Sequence, residues 1–140
     1  MLKSISFNYL IFLFIMNATW LFYAIKADLP DIFTINLIGT AGSLAYVLTY
    51  LYVKSTYQRS KEELNKFILC ILYILVLSSP VVSKSLAGTL AMILNLATYV
   101  TILDSLKQTI STKDSKTINM IVTCAAGMSA TSWMLYALII

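Results

Sequence analysis

Apolar positions gather into five long runs separated by short polar interruptions. The first covers 7–25, opening at Phe7 and closing before Lys26-Ala27-Asp28. The second covers 32–53 and holds Asn36, Gly39, Gly42 and Ser43 among its Ile, Leu and Tyr residues. The third, 67–79, is stopped by Ser78-Ser79-Pro80, and the fourth and fifth cover 86–105 and 118–140. A helix needs about 20 predominantly apolar residues to cross the hydrocarbon core. Barrel strands would instead alternate over about ten residues. The pattern therefore predicts an all-α polytopic membrane protein with five transmembrane helices. Leu29-Pro30-Asp31 reads as a turn, with Pro30 suited to a helix start. The most polar stretch, 54–63, reads as a loop. Small residues four apart, Gly39 with Ser43, Ala125 with Ser129 and Ala126 with Ala130, let helices approach closely in lipid and predict a packed bundle.

One motif is repeated. Ala18-Thr19-Trp20-Leu21-Phe22-Tyr23-Ala24-Ile25 returns as Thr131-Ser132-Trp133-Met134-Leu135-Tyr136-Ala137-Leu138. Trp, Tyr and Ala keep their register, a small hydroxyl residue precedes each Trp, and the Trp and Tyr share a helix face. Repetition at this distance points to two related halves.

Composition narrows the chemistry. Hydrophobic residues make up 59% of the 140 and charged ones 11%, against roughly a quarter charged in a soluble domain. Histidine is absent, which removes the commonest acid–base group near neutral pH and the commonest metal ligand. Cys70 and Cys124 lie in apolar runs and read as small apolar fillers. No Ser/His/Asp set, metal cluster or phosphate-cradling glycine loop is present in the sequence, so neither catalysis nor a cofactor or metal is expected. The ten Lys and Arg residues divide unevenly. With the N-terminus cytoplasmic, Lys3, Lys54, Arg59, Lys61, Lys66, Lys107, Lys113 and Lys116 fall inside, leaving Lys26 and Lys84 outside. The positive-inside rule thus predicts a cytoplasmic N-terminus and an external C-terminus, and nucleic acid is not an expected partner. Met1-Leu2-Lys3 before an apolar run could open a signal peptide, but the run is long and contains Asn17 and Trp20, so cleavage is not expected. Asn17-Ala18-Thr19 matches a glycosylation sequon at membrane depth, out of reach of the modifying enzyme. Asp28, Asp31, Glu62, Glu63, Asp104 and Asp114 all fall in loops or near span ends. No mid-membrane carboxylate is placed to couple transport to an ion.

Two further signals join the repeat: Thr34-Ile35-Asn36-Leu37-Ile38-Gly39-Thr40-Ala41-Gly42, and the loop Ile110-Ser111-Thr112-Lys113-Asp114-Ser115. Together they resemble the SWEET sugar transporters, whose members carry Trp-x-x-Tyr-Gly, Asn-x-x-Gly and a Thr-Lys-Ser loop in this order. From 93 to 137 the chain lies on the family pattern without a gap, Tyr99 included. The resemblance implies two three-helix bundles joined by a linker helix. The five runs then match spans two to six of seven, as a partial pair of bundles. Residues 1–64 would be the first-half remnant, 65–84 the linker helix and 85–140 the second-half remnant. The family's bending prolines are replaced by Tyr9, Ile102 and Ile121, the fourth falling in the first span, which this chain does not match. Pro80 sits at a helix end and cannot substitute for them.

The same resemblance names site residues. It implies that Trp20 and Trp133 contact the sugar, since an aromatic face packs on the C–H face of a sugar ring while polar groups take its hydroxyls. Membrane-interface anchoring or bundle packing is the competing role for both. Asn36 offers donor and acceptor, although the family pairs it with an Asn of the seventh span. Its alternative is a bond to neighbouring backbone near the helix start. Asn17, one turn before Trp20, stands one position from a family polar site. Tyr23 and Tyr136 match gate tyrosines, with an aromatic belt at the headgroups as the alternative. The function implied is passive, bidirectional facilitated diffusion of mono- or disaccharides by alternating access. The competing readings are a truncated, transport-inactive subunit or regulatory partner of a full-length transporter, and transport of another small metabolite. Expected partners are the sugar, the lipid bilayer and further copies or other subunits in a homo- or hetero-oligomer. The plasma membrane is the expected location, with the Golgi or another endomembrane as the alternative.

Overall fold

The computed structural model describes residues 7–57, 61–112 and 120–139; over most of 99–126, and at 57, 136, 137 and 139, it describes the backbone alone. Five helices follow in order: α1 Phe7–Ala27, α2 Pro30–Tyr57, α3 Lys61–Ser78, α4 Lys84–Thr112 and α5 Met120–Ile139. Each apolar run is a helix, and no strand occurs among the described residues. At 1.5 Å per residue α1 is about 31 Å long, the thickness of a hydrocarbon core. Both α1 and α2 are long and apolar enough to cross a membrane.

The helices outrun the apolar stretches that predict them. α2 continues through Lys54-Ser55-Thr56-Tyr57 and α3 begins at Lys61, inside the stretch read as a loop. Polarity marks where a helix leaves lipid, not where it stops. Lys and Glu are good helix formers, and neither Gly nor Pro interrupts 54–63. For the same reason α4 runs on to Thr112, taking in the first half of the loop expected at 110–115. Residues 58–60 and 113–119 lie outside the described ones.

Two compact units divide the chain, Met1–Asn95 and Leu96–Ile140. In the first, α1 packs on both α2 and α3. The α1–α2 connection is two residues long. Asp28 takes a left-handed conformation at φ 57°, and the Leu29 N–H donates to the Ala24 carbonyl at 3.0 Å. That six-to-one bond is a Schellman closure, with Asp where glycine is usual. The Leu29 carbonyl then accepts the Phe33 N–H at 2.9 Å, so Leu29 caps α2 and Pro30 takes the first helical position, where its missing N–H is not needed. At the other end of α3, Ser79 and Val82 close a turn around Pro80 at 3.2 Å. The Ser83 hydroxyl caps α4 by accepting the Leu86 N–H at 3.2 Å.

These turns make α2 antiparallel to α1, and α3 parallel to it. Three contacts pin α1 to α3 along its length. Lys66 Nζ donates to Asn8 Oδ1 at 3.1 Å, Thr19 Oγ1 meets the Tyr73 hydroxyl at 3.0 Å, and Lys26 Nζ donates to the Ser79 carbonyl at 2.9 Å. The apolar core lies toward the Phe7 end, where Phe7, Leu10, Phe14, Val47 and Cys70 are buried together. Phe7 stacks obliquely on Tyr50, centroids 5.0 Å apart, and Phe14 on Phe67 at 6.4 Å. The ion pairs Lys54–Glu63 and Lys66–Glu62, the latter at 2.7 Å, lie at that same end. The outward faces of α2 and α3 are apolar, with Ile35, Ile38, Tyr46, Tyr52, Leu69 and Val76 all exposed. Helices that are hydrophobic all round belong in lipid.

The second unit comprises α4 from Leu96 onward together with α5. On α5, Thr131 Oγ1 donates to the Gly127 carbonyl and Ser132 Oγ to the Met128 carbonyl, each at 2.9 Å. Gly127 and Ser129 are exposed, so within its own unit the small-residue face of α5 is not packed there. The side chains of Ala125 and Ala126 lie outside the described residues.

Candidate substrate site

Above the aromatic core, the α1–α2 interface turns polar without turning charged. On α1, Asn17 anchors itself by donating Nδ2 to the Leu13 carbonyl at 2.9 Å. Its carboxamide lies across Gly39 of α2, so close that a Cβ added there would stand 2.6 Å from Oδ1. This contact sets the register of the antiparallel pair. Three residues further toward the connection on each helix, about 4.5 Å along the axis, stand Trp20 and Asn36. The two are therefore level.

Asn36 is buried and donates Nδ2 to the Ile32 carbonyl at 2.8 Å. That is the backbone bond the sequence allows as its alternative. The neighbouring turns repeat the habit. Thr40 Oγ1 donates to the Asn36 carbonyl at 2.6 Å, and Ser43 Oγ reaches the Gly39 carbonyl at 2.7 Å and that of Thr40 at 3.1 Å. Side-chain donors thus return to the backbone and no buried side-chain polar atom among the described residues lacks a partner, the arrangement lipid requires.

Trp20 is half-buried and meets Tyr23 edge to face, centroids 5.7 Å apart at 81°. Tyr23 faces α4. Its ring is set against Gly88 of α4, where an added Cβ would come within 2.9 Å of Cε2. Within this first unit the sequence-predicted residues Asn17, Trp20, Tyr23 and Asn36 occupy three successive turns. Trp133 belongs to the second unit, on α5, and is 37% exposed. The Tyr136 side chain lies outside the described residues.

Four participants are not among the site residues predicted from the sequence. Gly39 and Gly88 receive Asn17 and Tyr23, and Thr19, fully buried, bonds Tyr73 of the neighbouring helix. Thr19 carries a signal as the hydroxyl residue before the repeated Trp, but Tyr73 carries none. A glycine that accepts a particular side chain cannot be told from any other small residue until both helices are placed.

The side chains this band brings together, Asn17, Trp20, Tyr23, Asn36, Thr40 and Ser43, are all uncharged. Glu63 lies outside the apolar run, in the first turn of α3, where the hydrogen bond from Lys54 holds its carboxyl below its ordinary range. No group of three His, Cys, Asp or Glu residues that could hold a metal occurs among the described residues. What remains is an aromatic face with amide and hydroxyl groups, suited to an uncharged, hydroxyl-rich molecule rather than to acid–base chemistry.

Residues 85–140 match the family model described as "Sugar efflux transporter for intercellular exchange". Over 127 residues, 87% of this chain, the sequence is 25% identical to the sugar transporter SWEET1 of Danio rerio. The aligned part is 58% of that relative, so the chain spans less than two thirds of its length. No solved structure matches. This all-helical chain is thus similar to the SWEET sugar transporters, through the family model over its second half and through SWEET1 over most of its length.

Proposed function

We propose that this chain carries a mono- or disaccharide across a membrane down its gradient, in either direction, by alternating access. The observation that carries the reading is the uncharged polar band of the α1–α2 interface, with Trp20 level with Asn36 and Asn17 one turn away. The family match over 85–140 and the likeness to SWEET1 supply the substrate class. A sugar ring would lie on Trp20 while Asn36 and Asn17 exchange bonds with its hydroxyls, and Trp133 is the corresponding aromatic face of the second half. Asn36 can accept through Oδ1 without leaving the Ile32 carbonyl, and can donate one N–H beyond that bond. Tyr23, seated on Gly88, and Tyr136 would act as gates. Opening past Tyr23 requires its ring to leave the glycine. The charge bias predicts a cytoplasmic N-terminus, and the plasma membrane is the proposed location. Further copies or another subunit would cover polar surface that lipid cannot solvate.

One observation favours a second reading, a transport-inactive subunit. Helix bending needs an identifiable cause, yet the chain's two prolines stand at the start of α2 and in the α3–α4 turn, leaving every helix interior without one. Uptake of labelled glucose and sucrose by proteoliposomes holding correctly inserted protein separates the two. Sugar-dependent flux abolished by Trp20→Ala or Trp133→Ala supports transport. Absence of flux supports the subunit. Competition by non-sugar solutes in the same assay tests for another metabolite.

A further inference from the structure

The chain has four glycines, and their surroundings differ sharply. Nothing lies within 4 Å of a Cβ added at Gly42 or Gly127, whereas one at Gly39 would collide with the whole Asn17 carboxamide, 2.6 Å from Oδ1, 2.9 Å from Cγ and 3.4 Å from Nδ2. No glycine among the described residues has a positive φ, so backbone geometry does not demand glycine at 39. Glycine is also a poor helix former. Its presence mid-helix is accounted for by the space it leaves.

Asn17 cannot simply withdraw from that space. Its Nδ2 is fixed on the Leu13 carbonyl at 2.9 Å, and rotating the carboxamide away from Gly39 would break this bond inside an apolar helix pair. Gly39 is equally fixed, since its carbonyl accepts Ser43 Oγ at 2.7 Å. The carboxamide is held between a carbonyl on its own helix and a hollow on the other.

We propose that Gly39 is a positioning residue: the hollow left by its missing side chain fixes the Asn17 carboxamide at the α1–α2 interface, one turn below the level of Trp20 and Asn36. This rests on the transport reading for its consequence, since Asn17 then presents its amide to a sugar hydroxyl in an orientation set by a residue with no polar side chain of its own. Any side chain at 39 displaces that amide. The same change three residues later, at Gly42, meets nothing.

The test uses the full chain with Gly39→Ala, Asn17→Ala, both together, and Gly42→Ala as the control. Thermal melts in detergent report the pairing, and sugar uptake in proteoliposomes reports KM and maximal rate. Gly39→Ala is expected to lower the melting temperature and raise KM about tenfold, the size of one lost uncharged hydrogen bond, with little change in maximal rate. Adding Gly39→Ala to Asn17→Ala is expected to leave KM unchanged and to lower the melting temperature no further, because the colliding carboxamide has gone and alanine is the better helix former. Gly42→Ala is expected to leave KM unchanged and to hold or slightly raise the melting temperature, because alanine is the better helix former and nothing opposes its methyl group. Strict additivity of Gly39→Ala and Asn17→Ala in the melts overturns the proposal. So does an unchanged KM in Gly39→Ala when Asn17→Ala raises it. If the unsubstituted chain shows no flux but the two positions still couple in the melts, the transport reading falls while the positioning of Asn17 by Gly39 is upheld.

Discussion

The hydroxyl of Tyr73 offers a way to weigh the tie between α1 and α3 one oxygen at a time. Thr19 Oγ1 has a single proton, and at 2.7 Å from the Ile15 carbonyl that proton is committed. Tyr73 must therefore donate into Thr19 across 3.0 Å, and the two substitutions that break the bond are not equivalent. Tyr73→Phe removes the donor and leaves Thr19 with only an unused lone pair. Polar pairs between membrane helices are worth about 0.6 kcal/mol on average and about 1.7 at most, so the loss should be about 0.6 kcal/mol. Thr19→Val keeps the shape of a fully buried side chain but strands the Tyr73 O–H. An unsatisfied buried donor costs about 1–3 kcal/mol. Unfolding of both variants and of the double variant, followed by circular dichroism in mixed micelles, gives all three values and their coupling. Thr19→Val should cost about twice Tyr73→Phe or more, and Tyr73→Phe on top of it should restore part of that loss by removing the stranded donor. Equal costs, or additivity, would show that the two hydroxyls do not bond in this sense.

Two other expectations concern the helix ends. Asp28 sits in the left-handed region at φ 57°, where L-residues are strained by roughly 1–2 kcal/mol and Asp by less. Asp28→Gly should therefore leave stability unchanged or raise it by about 0.5 kcal/mol, while Asp28→Ala should lower it, as measured by the same unfolding assay. Glu63 binds its proton less readily in the folded chain than when unfolded, because Lys54 hydrogen-bonds its carboxylate. A group depressed in this way stabilises the fold above the ordinary carboxylate range, roughly pH 4, and that contribution fades as pH falls through its lower folded value. Melts across pH 3–6 should show a loss on acidification that Glu63→Gln reduces. A profile identical in the variant would remove the Lys54–Glu63 pair from the account.

Much of the fold is legible because lipid imposes a simple grammar. An apolar run long enough to cross must be a helix, and all five runs are. Pro30 and Pro80 announce the α1–α2 and α3–α4 connections, where Leu29 and Ser83 cap the following helices. The helix ends are less legible, since 54–57 and 61–63 are polar and helical at once. Polarity reports the solvent, and only Gly, Pro or a cap reports the end of a helix. The site was half legible. Asn17, Asn36 and Ser43 stand out as polar residues in apolar runs, but their partners depend on register between helices, which periodicity within one helix does not encode. Hence Asn36 could be singled out while its bond to Ile32 remained one of two alternatives. Gly39, Gly88 and Tyr73 gain meaning only against α1.

The claim that matters most is that the polar band beside Trp20 serves a sugar. Its most direct measurement is sugar binding and flux on one preparation: uptake of labelled sugar into proteoliposomes by the unsubstituted chain, by Trp20→Ala and by Asn36→Ala, with insertion checked for each. The account predicts saturable flux, equal in the two directions under reversed gradients, and lost in both variants. Flux that survives both substitutions, or none from a correctly inserted chain, would contradict it.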